Sequence, residues 1–173
     1  MTPVAPPPLR PVVDADGPGL AALIAACFAE YDGCRFEPAE FPELDAIARH
    51  VAAADGRMWV AEAEGALVAS VGARPAGADA VELLKVYVAR PWRGTGLADA
   101  LLTAAVGFAR ERDARRLELW SDTRFTRAHA FYVKNGFVRT GETRFLDDVS
   151  RSWEARFVRA PVTAPSERGS RRR

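Results

Sequence analysis

The chain has 173 residues, a mass of 18.8 kDa, 49% hydrophobic residues and a formal net charge of +1, which fits one globular domain with a full core and excludes a disordered chain. No apolar run reaches the roughly 18–20 residues that span a bilayer, the Pro-rich start lacks the unbroken apolar core of a signal peptide, and Cys27 and Cys34 stand without Cys/His clusters of metal-ligand spacing. The expectations are therefore a cytoplasmic protein with reduced thiols, no metal and no membrane association. Arg168, Arg171, Arg172 and Arg173 fall in the last six residues, and without those four charges +1 becomes −3. The body therefore does not read as a nucleic-acid surface, and 161–173 reads as a disordered basic tail.

In chain order, prolines at 3, 6, 7, 8 and 11 make residues 1–8 a flexible leader into a first strand around Leu9 to Val13. Asp14 or Asp16 offers an N-cap for a helix through Leu20 and Phe28. A second helix is expected from Glu43 to Ala54, with Leu44, Ile47, Ala48 and Val51 on one face. Two strand-like runs, 57–63 and 66–72, joined by Glu64-Gly65 form a hairpin signal. Val81 to Val88 is β-branched and apolar, and a helix of about 16 residues follows a loop at 89–96. Strands at 116–122, 137–141 and 153–158 and a helix over 127–134 complete the order β-α-α-β-β-β-α-β-α-β-β, with a parallel pairing of 81–88 with 116–122 across the crossover helix.

The stretch 81–112 carries the chemical signal. It reads as a strand, a loop with Gly94 and Gly96, and a helix, so that successive N–H groups and the positive helix end can face one anion. A Walker loop would need Lys-Ser/Thr after its last glycine, where Leu97-Ala98 stands. A dinucleotide fingerprint would need Gly or Ala at Asp99. What survives, Arg93-x-x-Gly96-x-Ala98, resembles the Arg/Gln-x-x-Gly-x-Gly/Ala signature of the GNAT superfamily of N-acetyltransferases. A second patch from Ala128 through Tyr132 to Gly136-Phe137 resembles the same family's Ala-x-x-Phe-Tyr-x-x-x-Gly-Phe.

The resemblance covers 9–160 and implies the GNAT α/β fold: a mixed, mostly antiparallel sheet with one central parallel strand pair and helices on both faces. It implies an enzyme of the acyltransferase class that passes the acetyl group of acetyl-CoA directly to a primary amine of a small molecule or peptide. Arg93, Gly94, Thr95, Gly96, Leu97 and Ala98 would hold the pyrophosphate, and the N–H groups near Val86 and Val88 would face the thioester oxygen. Tyr132 would protonate the departing sulfur. Glu82, which strict alternation sets on one strand face with Leu84, Val86 and Val88, would be a general base raised by an apolar setting, with water as the alternative. Tyr31, Asp32, Asp147, Asp148 and Glu154 are acceptor candidates because a cationic amine wants carboxylates and aromatics. Phe125 stands where many members carry an Asn, leaving Asp122, Thr123 or Arg124 to replace it. That departure keeps open a second reading, an acyl-CoA-binding regulatory module without transfer. Edge strands over 137–158 leave room for a homodimer.

Overall fold

The computed structural model describes residues 5–162. Seven strands, β1 (Leu9–Pro11), β2 (Arg57–Ala63), β3 (Ala66–Pro75), β4 (Ala80–Val88), β5 (Arg116–Asp122), β6 (Val138–Phe145) and β7 (Trp153–Arg159), form one sheet in the order β1-β2-β3-β4-β5-β7-β6. Every neighbouring pair is antiparallel except β4 and β5, which the 15-residue helix α3 (Leu97–Glu111) joins as a parallel pair. Helices α1 (Gly17–Phe28) and α2 (Ile47–Ala53) cover one face, and α3 and α4 (Thr126–Lys134) cover the other.

The two faces have separate cores. Leu97, Leu101, Ala105 and Phe108 of α3 recur at helical spacing and are buried with Val81, Leu83, Leu117 and Leu119 of the sheet. Leu20 and Ile24 of α1 pack with Ile47, Met58 and Val60 on the opposite face. The Glu64-Gly65 turn has both residues at positive φ (52° and 78°), the geometry that matches the twist of a two-residue hairpin.

Three local expectations are corrected. Asp16 takes the N-cap position of α1, but neither its side chain nor that of Asp14 makes a capping hydrogen bond there. The Asp14 carboxylate instead accepts the N–H groups of Ala48 (2.9 Å) and Arg49 (3.1 Å) and so caps α2 from a distant segment. Asp16 takes both guanidinium nitrogens of Arg10 and the N–H of Val13 at 2.8 Å. The helix expected over 43–54 begins as a 3₁₀ segment at Pro42–Ala46 and becomes α-helical only at Ile47, where that remote cap takes hold. The sixth strand runs on to Phe145, beyond the 141 expected, and forms the exposed edge of the sheet. Residues 163–173 of the basic tail and 1–4 of the leader lie outside the described residues.

Candidate functional site

The sheet opens at its centre. Strands β4 and β5 pair only at Ala80↔Arg116, Val81↔Leu117 and Glu82↔Glu118, after which β5 continues beside β7 while β4 stays with β3. The remainder of β4 therefore has no strand on its β5 side. A bulge falls at the start of that stretch. Gly72 faces Leu84 and Ser70 faces Tyr87, so Lys85 and Val86 together oppose Val71, and Lys85 takes a φ of +47°. The buried Ser70 donates its hydroxyl to the Lys85 carbonyl at 2.6 Å, satisfying the group the bulge turns out of the ladder. The Lys85 side chain swings to the α1 face, where it pairs with Glu43 and lies 5.2 Å from the centre of the Phe41 ring.

This bulge corrects the strand's facing. Val81 and Leu83, then Val86 and Val88, belong to the α3 core, whereas Tyr87 packs with the α1 core. Glu82 consequently does not share a face with Val86 and Val88. Nor is its setting apolar, because Arg74 holds it through Nε (3.0 Å) and Nη2 (2.8 Å) at the closed end of the gap. Beyond the bulge, Ala89 N–H donates to Val68 O at 2.8 Å, toward β3. Alternation then turns the N–H groups of Val86 and Val88 toward the gap.

At the end of β4 the chain passes a 3₁₀ turn at Arg90–Trp92 and reaches the glycine loop. Gly94 (φ +76°) and Gly96 (φ +91°) hold left-handed backbone, and a Cβ at either would meet no atom within 4 Å. Their requirement is thus one of backbone angle, and the space before them is open. Among the described residues the N–H groups of Gly94, Thr95, Gly96, Leu97, Ala98 and Asp99 meet no protein acceptor, while Thr95 Oγ1 donates to Trp92 O at 2.7 Å and so shapes the turn. These six consecutive amides include the first turn of a 15-residue helix, a setting that suits a phosphate oxygen.

Arg93 does not stand free beside that loop. Its guanidinium forks onto Glu30 at the end of α1, with both Nη–Oε distances 2.7 Å, and its Nε donates to Val88 O at 3.1 Å. Glu30 also receives Arg127 of α4 at 3.3 Å, so one carboxylate ties together α1, the glycine loop and the first turn of α4. The Arg93 pair holds Glu30 below the usual carboxylate value.

Tyr132 of α4 is 5% exposed, with its ring against Phe137 and Phe157 (both 5.7 Å between centres). Burial pushes its phenol well above the ordinary value. Tyr87, which the sequence analysis did not single out, is pushed up as well, first by burial and then by Cys27, Tyr132, Glu154 and Asp122 around it. Asp122, at the end of β5, keeps its charge. Burial alone would raise it, but the Arg124 side chain (2.6 and 2.9 Å) and backbone N–H (2.9 Å) outweigh that and hold it below the carboxylate norm. Asp122 and Arg124 thus form a closed pair next to Phe125.

The acceptor candidates divide. Tyr31 packs tilted against Phe125 at 4.9 Å between ring centres, and Glu154, in register with Asp122, holds Arg144 at 2.6 Å. Asp148 accepts the Ser152 N–H at 2.7 Å and fixes its own loop, while Asp32 and Asp147 are exposed. His129 directs Nε2 toward Ser121 Oγ (3.2 Å) and Asp122 O (3.0 Å) and leans on Phe157, so it braces α4 against β5. Both cysteines are free and buried. Burial raises Cys27 above its ordinary value, and burial followed by Asp122 pushes Cys34 up to about 11.

The profile of the Acetyltransferase (GNAT) family matches residues 24–137. The uncharacterized N-acetyltransferase YjgM of Escherichia coli is 31% identical over 136 residues, covering 76% of this chain and 81% of that protein. Rat N-acetyltransferase 8 is 34% identical over 94 residues, 51% of this chain, and the chain spans 42% of that relative's length. A GNAT acetyltransferase structure from Staphylococcus aureus superposes with a TM-score of 0.73 at 18% identity over 88% of this chain and 99% of its own.

Proposed function

Because the chain belongs to the GNAT family of acetyltransferases, we propose that it transfers the acetyl group of acetyl-CoA directly to a primary amine, in a ternary complex without a covalent enzyme intermediate. The observation that carries the reading is the wedge between β4 and β5, where β4 leads into the 94–98 loop with its unpartnered amides. Backbone amides of the loop take the pyrophosphate. The N–H groups of Val86 and Val88, freed for the gap by the bulge at Lys85, receive the carbonyl oxygen as it gains charge.

The amine nitrogen attacks the thioester carbon, its lost proton passes to water, and the C–S bond breaks to give the amide and CoA thiolate. The Tyr132 hydroxyl donates to that sulfur. Glu82, neutralised by Arg74, acts here by holding the closed end of the gap rather than as the base. The raised thiols of Cys27 and Cys34 are protonated at neutral pH, which supports direct transfer.

The reading is tested by mixing purified protein, acetyl-CoA and amines. Amine-dependent thiol release with formation of the acetylated amine is expected. Acetyl-CoA binding with no release for any amine would favour the regulatory-module reading instead.

A further inference from the structure

The side of the gap facing α1 is lined with rings. Phe28, at the end of α1, sits 6.2 Å from Tyr87 on the β4 side and 5.7 Å from Phe125 on the β5 side, so one ring bridges the two strands where they part. Tyr31 extends the row from Phe125 at 4.9 Å, and Phe41 extends it from Phe28 at 6.2 Å. All five are half-buried, neither sealed in the core nor fully in water. A core normally closes over its aromatics. A contiguous row of mutually tilted rings left half-open beside the gap offers an apolar binding surface.

Charge narrows what could lie on it. Four carboxylates around the gap are each matched by a cation: Glu30 by Arg93, Glu43 by Lys85, Asp122 by Arg124 and Glu154 by Arg144. No surplus negative charge remains among these four to draw in a polycation, and an acceptor of that kind would leave the rings uncovered. Apolar area is the attraction on offer.

We infer that the acceptor is a primary amine carried on an aromatic group, an arylalkylamine, whose ring lies among Phe28, Tyr31 and Phe125 while its nitrogen reaches the gap beside Tyr87. This rests on the acetyltransferase reading and adds the acceptor class to it.

The test measures thiol release with 2-phenylethylamine and tryptamine against putrescine, spermidine and a lysine peptide without aromatics, in wild type, Phe125→Ala and Tyr31→Ala, with acetyl-CoA affinity measured alongside by calorimetry. The arylalkylamines should lead in kcat/KM by at least about tenfold. Removing the Phe125 ring should raise their KM about tenfold, with kcat and acetyl-CoA affinity little changed. Tyr31→Ala, at the outer end of the row, should act in the same direction and serves if Phe125→Ala does not fold. Preference for a polyamine or the peptide, no turnover of any arylalkylamine despite acetyl-CoA binding, or an equal loss for all amines in the variants would overturn the inference. Failure of wild type to bind acetyl-CoA would instead remove the acetyltransferase reading, and this inference with it.

Discussion

Tyr132→Phe is expected to lower kcat roughly 10²-fold or more while leaving acetyl-CoA affinity nearly unchanged. The substitution deletes one hydroxyl and keeps the ring that packs on Phe131, Phe137 and Phe157, so the fold and the glycine loop should persist. Burial raises the phenol, which keeps it protonated and able to donate at any working pH. The same shift widens its mismatch with a leaving thiol of pKa near 8.5. Its contribution is therefore a hydrogen bond that strengthens as negative charge gathers on sulfur, rather than early surrender of the proton, and such a bond acts on kcat more than on binding. Single-turnover rates with saturating acetyl-CoA and amine measure this, and an unchanged rate would remove Tyr132 from the chemistry.

Phe157→Ala should cost about 3–5 kcal/mol of folding stability. Phe157 is 1% exposed and lies where β7 crosses between β5 and β6, in register with Leu119 and Arg139. Its ring backs both Tyr132 and His129, so truncation opens a cavity that the rigid sheet cannot collapse into. Against a total of about 5–15 kcal/mol for a typical domain, that is a large share. Denaturant midpoints at constant m-value measure it, and a loss below about 1 kcal/mol would mean that the floor under Tyr132 repacks freely.

The architecture was legible because its signals are local. Periodicity marked α3, two residues of turn chemistry marked the β2–β3 hairpin, and Gly94 and Gly96 marked the loop, each within a few positions. The geometry of the gap was not, because its determinants are remote. A bulge at Lys85 carries no glycine to announce it, and it depends on a hydroxyl from Ser70, fifteen residues earlier. Strict alternation through that bulge set Glu82 on the wrong face relative to Val86. The Arg93–Glu30 pair joins residues 63 apart, and Glu30 at a helix end looks like any solvated acid until the fold closes. Phe125 read as the loss of an Asn, but it is also a gain, since its ring joins the row that Phe28 and Tyr31 begin.

The central claim is that the 94–98 loop anchors acetyl-CoA at the mouth of the β4–β5 gap, and calorimetric titration of wild type and Gly96→Glu with acetyl-CoA tests it most directly. A side chain at Gly96 must take a φ of +91° and would set a carboxylate in the open space before the amides. Binding by wild type at one site, weakened at least about 100-fold in a variant that still unfolds cooperatively, is the predicted result. Equal binding by both proteins, or none by wild type, would contradict the account.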